Sequence, residues 1–184
     1  MILADHNHRR GEILISADRI AMRITEMAQE IDSALAPCKQ VLVVGVLKGA
    51  AFFTSDLVRR LTTPALMSYA TISSYGWKAF DTDGPKVVQD TDIEVDGRHV
   101  LIVEDIIDSG QTLALLKARL LDQGALSVRV VVLLDLHHRA ENRPITPDFI
   151  GFGSDAKWVC GYGIDYKEQY RNLPDISRIE SPSH

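Results

Sequence analysis

The sequence predicts an α/β fold: a parallel twisted sheet flanked by helices, with a small hood from the N- and C-terminal segments. Two observations carry the sheet. Val41-Leu42-Val43-Val44 and Val100-Leu101-Ile102-Val103 are continuous apolar runs, and Val128 to Leu134 is apolar at every position but Arg129, the pattern of strands covered on both faces. The segments between them have helical spacing, and strands alternating with helices imply parallel pairing through right-handed crossovers.

The elements follow in chain order. Ile20, Ile24, Met27, Ala28 and Ile31 recur on one helical face after Ser16. Ser16 is the expected N-cap, Asp18 stands in the positive first turn, and Pro37 lies beyond the helix end. Val41 to Leu47 is the first buried strand, closed by Lys48-Gly49; a short helix over about 51–61 and a strand over 66–72 complete a β-α-β unit. Val100 to Val103 opens the next unit. Its helix runs over 112–123 and stops at Gly124, a natural residue for the left-handed turn after a helix. Val128 to Leu134 is a third strong strand and Phe149 to Phe152 a short one.

The pattern breaks between Ser73 and Asp96, where Gly76, Asp81, Asp83, Gly84, Pro85, Asp90 and Asp92 cluster and a strand pairing is expected around 86–89. A connection of this length inside a compact domain reads as a lid or binding loop. Trp158 to Ile179 lacks helical period and is expected to cap the sheet's edge, together with the N-terminal helix. The chain is read as one domain, 1–184, its hood contributed by about 1–16 and 155–184.

Bulk properties narrow the class. The 184 residues, 46% hydrophobic and 24% charged, suit one globular core. A net charge of −5 with no basic run argues against a nucleic-acid partner. No apolar stretch reaches the ~18 residues of a membrane span. Met1 to Gly11 is polar and lacks the apolar core of a secretory signal, so a cytoplasmic location is expected. Cys38 and Cys160 match no metal-binding spacing and are expected as reduced thiols.

Ligands of open α/β sheets sit at the carboxyl ends of the strands. After Val103 comes Glu104-Asp105-Ile106-Ile107-Asp108-Ser109-Gly110-Gln111-Thr112. A helix N-terminus suits a phosphate, Gly110 admits close backbone approach, and Ser109 and Thr112 add hydroxyls. If the strand persists, Glu104 and Asp105 point to opposite faces, so at least one faces the ligand crevice. Acids beside a phosphate cradle need sugar hydroxyls or a cation such as Mg²⁺. Helix capping alone accounts for Asp108 or Ser109, but not for acids on both sides of two isoleucines. The chain has no P-loop and no Gly-x-Gly-x-x-Gly after a strand.

Val103 to Thr112 resembles the phosphoribosyl pyrophosphate motif of type I phosphoribosyltransferases, in the form of the hypoxanthine-guanine branch. Leu47-Lys48-Gly49-Ala50 is similar to that family's pyrophosphate loop. Ser73-Ser74-Tyr75-Gly76 is similar to the start of its mobile catalytic loop. Lys157 to Tyr166, with Tyr170-Arg171-Asn172-Leu173-Pro174, resembles its purine pocket and C-terminal clamp. The resemblance covers nearly the whole chain after residue 12.

It implies transfer of a 5-phosphoribosyl group to hypoxanthine or guanine, with Mg²⁺. Asp108 would be the catalytic base near the purine. Glu104 and Asp105 would hold ribose hydroxyls and Mg²⁺, with Asp165 as a second metal site. Ser109, Gly110, Gln111 and Thr112 would cradle the 5′-phosphate; Lys48, Gly49 and Arg171 would meet pyrophosphate. A non-proline cis peptide is common in the Lys48 loop. Ile106, His137, Lys157, Trp158, Val159 and Asp165 would surround the purine, with Trp158 stacked on it rather than buried in the core. Ser74 and Tyr75 would close over the reaction. Homodimers or homotetramers are usual in the family.

One departure stands out. The family carries a lysine after the third strong strand, donating to the purine 6-oxo group. Counting from Glu104 that position is Leu136; counting back from Phe149 it is His137. His137 or His138 would then donate instead, or the preferred base differs. Two further readings follow: the same chemistry on xanthine or another purine, and a non-catalytic regulator that senses phosphoribosyl pyrophosphate.

Overall fold

The computed structural model describes residues 9–73, 86–136 and 143–180. In order the elements are β1 (Arg9–Ile15), α1 (Ala17–Leu35), β2 (Val41–Leu47), α2 (Ala51–Val58), β3 (Ala65–Ser73), β4 (Lys86–Gln89), β5 (His99–Ile107), α3 (Gln111–Asp122), β6 (Ser127–Leu136), β7 (Phe149–Ser154), β8 (Val159–Cys160) and β9 (Ile176–Glu180).

The main sheet has strand order β4-β3-β2-β5-β6-β7. All its neighbours are parallel except the edge pair β3 and β4. Its central strands are apolar on both faces because helices cover both. On one side Ile20, Ile24, Met27 and Ile31 of α1 and Phe53 and Leu57 of α2 pack on Val43, Leu101, Val103 and Val131. On the other, Leu113, Leu116 and Leu120 of α3 pack on Val44, Ile102, Val130 and Val132. Successive strand residues alternate between the two cores, as the pleat requires.

Local chemistry sets the helix ends. Ser16 caps α1, its Oγ accepting from Arg19 N at 3.4 Å. Gly124, with φ +92°, turns the chain out of α3. The second helix ends at Val58, short of residue 61, and two more turn bonds to Leu57 O follow from Arg60 N and Leu61 N.

The hood is a separate three-stranded antiparallel sheet, β1-β9-β8. Its N-terminal contribution is strand β1, not the helix. Helix α1 packs instead into the core beneath the main sheet. Arg10 fastens the hood, its Nη2 donating to both Asp175 carboxylate oxygens at 2.7 and 2.8 Å. Both cysteines are thiols, and burial pushes Cys160 up to about 11. No helix among the described residues is long and apolar enough to cross a membrane.

Candidate active site

The order of the main sheet reverses between β2 and β5. From β2 the chain moves outward to β3; from β5 it moves the other way to β6 and β7. Such a switch point opens a crevice at the carboxyl ends of the strands. Pairing of β2 with β5 stops at Gly45 and Val103, while β5 continues alongside β6 through Ile107. Glu104 and Asp105 therefore lie where β5 has lost its neighbour on one side. Both line the same cavity, although neighbours along a strand face opposite ways.

That cavity holds about 560 Å³ and is walled by Leu47 at the end of β2 and Lys48 and Gly49 after it, by Glu104 to Gly110 and Thr112, and by Asp165, Glu168 and Arg171 from the hood side. The Leu47–Lys48 peptide is cis. A Cβ on Gly49 would collide with Asp105 Oδ2, so only glycine lets the loop close against this acid. Gly163 has φ +96° and abuts the Gly49 carbonyl, locking the same loop from above.

Glu104 and Asp105 are 8% and 7% exposed. Burial, with Asp105 as a charged neighbour, holds Glu104 well above the ordinary carboxylate range. Burial also raises Asp105, against the opposing influence of its hydrogen bonds with Glu104 and the Ile106 amide and, least, of Arg171. A buried acid pair of this kind is unfavourable until a cation joins it.

Past the acids, Gly110 stands at the N-cap of α3 with φ +73° and makes no side-chain cap hydrogen bond. The amides of the first helical turn are thus left for a ligand. Neither Asp108 nor Ser109 is the capping residue. Ser109, Gly110 and Thr112 line the cavity; Gln111 opens the helix with its side chain exposed.

A second cavity of about 460 Å³ adjoins the first, walled by Asp105, Ile106, Asp108, Leu136, Lys157, Trp158, Val159, Ile164 and Asp165. Asp105, Ile106, Asp108 and Asp165 belong to both. Trp158 is 62% exposed, so it is no core aromatic, and Tyr166 meets its ring edge-on at 6.1 Å. Leu136, 5% exposed, occupies the wall where a lysine was sought. His137, His138, Ser74 and Tyr75 lie outside the described residues.

Lys48 and Arg171 are already paired with acids. Lys48 Nζ donates to Glu168 Oε2 at 3.1 Å. Arg171 Nη2 lies 2.6 Å from Asp165 Oδ1 and 3.5 Å from Glu168 Oε1, and Nη1 donates to Gly163 O. Arg171 Nε is buried with no partner among the described residues. Sequence reasoning missed Glu168, whose position between Asp165 and Arg171 was the available signal. It also missed Arg143, which bonds the backbone behind Asp108 and had no local signal.

Residues 11–167 match the model of the phosphoribosyl transferase domain family. The chain is 39% identical over 173 residues to a hypoxanthine-guanine phosphoribosyltransferase of Bacillus subtilis, covering 94% of this chain and 95% of that protein. It is 42% identical over 169 residues to the bifunctional protein TilS/HprT of Listeria innocua, of whose length it spans 26%. A crystal structure of a hypoxanthine-guanine phosphoribosyltransferase from Bacillus anthracis superposes with a TM-score of 0.83 at 32% identity, covering 94% of this chain and 99% of that one.

Proposed function

Because the chain belongs to the phosphoribosyltransferase family, we propose that it transfers the 5-phosphoribosyl group of phosphoribosyl pyrophosphate to hypoxanthine or guanine, a purine-salvage reaction giving IMP or GMP and pyrophosphate. The observation that carries this is the pair of adjoining cavities sharing Asp105, Ile106, Asp108 and Asp165. One is polar and opens on an uncapped helix N-terminus; the other is largely apolar with an exposed indole. A phosphorylated sugar fits the first and a flat base the second, with their junction at the shared acids.

In this reading a purine nitrogen bonds to ribose C1 as the C1–oxygen bond to pyrophosphate breaks, and Asp108 takes the proton the base loses. The 5′-phosphate lies on Ser109, Gly110, Gln111 and Thr112. Lys48, Gly49 and Arg171 receive pyrophosphate; Arg171 lines the polar cavity and its planar fork suits phosphate oxygens. The base lies between Trp158 and Ile106, read by Val159 and Lys157. The buried acids Glu104 and Asp105 suit Mg²⁺, which typically uses one or two carboxylates plus substrate oxygens and water. Glu104 and Asp105 would hold it, with Asp165 at a second position, and it would neutralise the pyrophosphate leaving group. The whole chain, 1–184, is taken as one cytoplasmic domain that assembles as a homodimer or homotetramer.

Leu136 in the base cavity favours a second reading, the same chemistry on xanthine or another purine. Nucleotide formation from phosphoribosyl pyrophosphate and Mg²⁺, with hypoxanthine, guanine, xanthine and adenine offered separately, decides. Turnover of hypoxanthine or guanine is expected. Turnover of xanthine or adenine alone replaces the substrate, and no turnover by the folded protein sinks the enzyme reading in favour of a sensor.

A further inference from the structure

We propose that Arg143 is a positioning residue for the anion-binding backbone of the Asp108–Gly110 loop, an inference that rests on the phosphoribosyl-transfer reading. Its side chain is 4% exposed. The guanidinium is spent on four protein oxygens at the ends of two strands. Nε donates to Asp108 O at 2.6 Å and Nη2 to Ile107 O at 3.1 Å. Nη2 also donates to Leu136 O, and Nη1 to Asp135 Oδ1 at 2.6 Å. Ile107 and Asp135 are register partners on β5 and β6, so one side chain ties both strand ends to the loop that leaves them.

Peptide planarity gives this tie a consequence. Leu47–Lys48 is the cis bond among the described residues, so the Ile107–Asp108 and Asp108–Ser109 peptides are trans. In a trans peptide the carbonyl and the following N–H point in opposite directions. Holding the carbonyls of Ile107 and Asp108 therefore turns the N–H groups of Asp108 and Ser109 away from the guanidinium. Both residues line the polar cavity. The same segment also backs the loop sterically. A Cβ on Gly110 would lie 3.1 Å from Ile145 Cγ2 and 3.7 Å from Arg143 Cβ. The guanidinium is buried and engaged by these four oxygens, so its action on a ligand runs through the loop.

A planar fork of donors is needed to reach several oxygens at once, and a lysine ammonium lacks it. A buried pair with Asp135 that served stability alone would make no demand of this kind on the ligand. The test uses the full chain with Arg143→Lys, Arg143→Met and Asp135→Asn. For each, the melting temperature, the calorimetric Kd for phosphoribosyl pyrophosphate with Mg²⁺, and the KM for each substrate are measured. Arg143→Met is expected to raise the Kd and KM for phosphoribosyl pyrophosphate about tenfold or more, with the purine KM little changed. Arg143→Lys should recover only part of the loss. Asp135→Asn, which keeps the carbonyl contacts, should bind nearly as wild type. If Arg143→Met does not fold, Arg143→Lys carries the test. Folded Arg143 variants with wild-type affinity, whatever their melting temperature, overturn the proposal. Should the wild type bind phosphoribosyl pyrophosphate but turn over no base, the transfer reading fails while the affinity comparison still decides on Arg143. A wild type that does not bind it at all overturns both.

Discussion

Lys48 Nζ donates to Glu168 Oε2 across 3.1 Å, joining the loop after β2 to the hood-side segment 120 residues later. Glu168 also faces Arg171 at 3.5 Å, and Lys48 and Arg171 together hold its carboxyl below the ordinary range. Its carboxylate thus occupies the two cations assigned to pyrophosphate, and an incoming anion has to displace it. Both partners of the Lys48 pair are well exposed, at 68% and 63%, so the pair itself contributes little to stability.

Glu168→Gln should accordingly leave the melting temperature almost unchanged and lower the KM for phosphoribosyl pyrophosphate by roughly two- to fivefold, the range of an exposed ion pair. An unchanged or raised KM would show that Glu168 does not compete with the substrate.

Asp108→Asn removes the proposed proton acceptor while keeping size and polarity. Single-turnover rates should fall about 10²- to 10⁴-fold, with phosphoribosyl pyrophosphate still bound. A variant within a factor of a few of wild type would assign the proton to another group.

For Glu104 the sign follows from linkage. Its folded-state pKa is raised, so the native state binds more protons than the unfolded chain above the ordinary carboxylate range. Stability from the protonated form is full below the unfolded pKa and is lost as pH rises through the folded one. Glu104→Gln should therefore raise stability at neutral pH by about 1–2 kcal/mol, flatten the decline on the alkaline side, and abolish turnover. Thermal melts across pH check this; a destabilised variant at pH 7 contradicts it.

Gly49→Ala places a methyl group against the Asp105 carboxylate. A displacement near 1 Å at a reacting centre costs about 10²-fold in rate, so kcat/KM should drop on that order. Wild-type kinetics in the folded variant would mean that Asp105 moves aside without consequence.

Trp158→Ala tests the base cavity. The indole is 62% exposed, so its loss should cost little stability. Stacking on a base contributes about 1–3 kcal/mol, and the purine KM should rise roughly 5- to 150-fold. A purine KM that stays put would move the base elsewhere.

Much of this was legible because the central strands declare themselves locally. Val41 to Val44 and Val100 to Val103 are apolar on both faces, as is Val128 to Leu134 apart from Arg129, and they needed no partner to be recognised. The stretch Glu104 to Thr112 is local too, and so was readable as one unit. What escaped is long-range. The two-residue β8 exists only because Val159 and Cys160 pair with Arg178 and Ser177. The end of α2 is set by turn bonds to Leu57, not by an amphipathic pattern. Arg143 reaches Asp108 O from 35 positions away, and no spacing rule links an isolated arginine in a polar loop to a strand end. That Glu104 and Asp105 share one cavity followed from β2 stopping early, which neither strand reveals alone.

The hood has a bearing on the order in which the molecule becomes competent. Strand β8, which carries one wall of the base cavity, leans on β9, and β9 leans on β1 at the far end of the chain. During vectorial synthesis at ~5–20 residues per second, the main sheet is fully present once Ser154 has emerged. The stretch Ile176 to Glu180 must still follow before β1 finds its partner. A nascent chain thus carries the uncapped N-terminus of α3, the proposed phosphate site, before the second cavity has its finished wall.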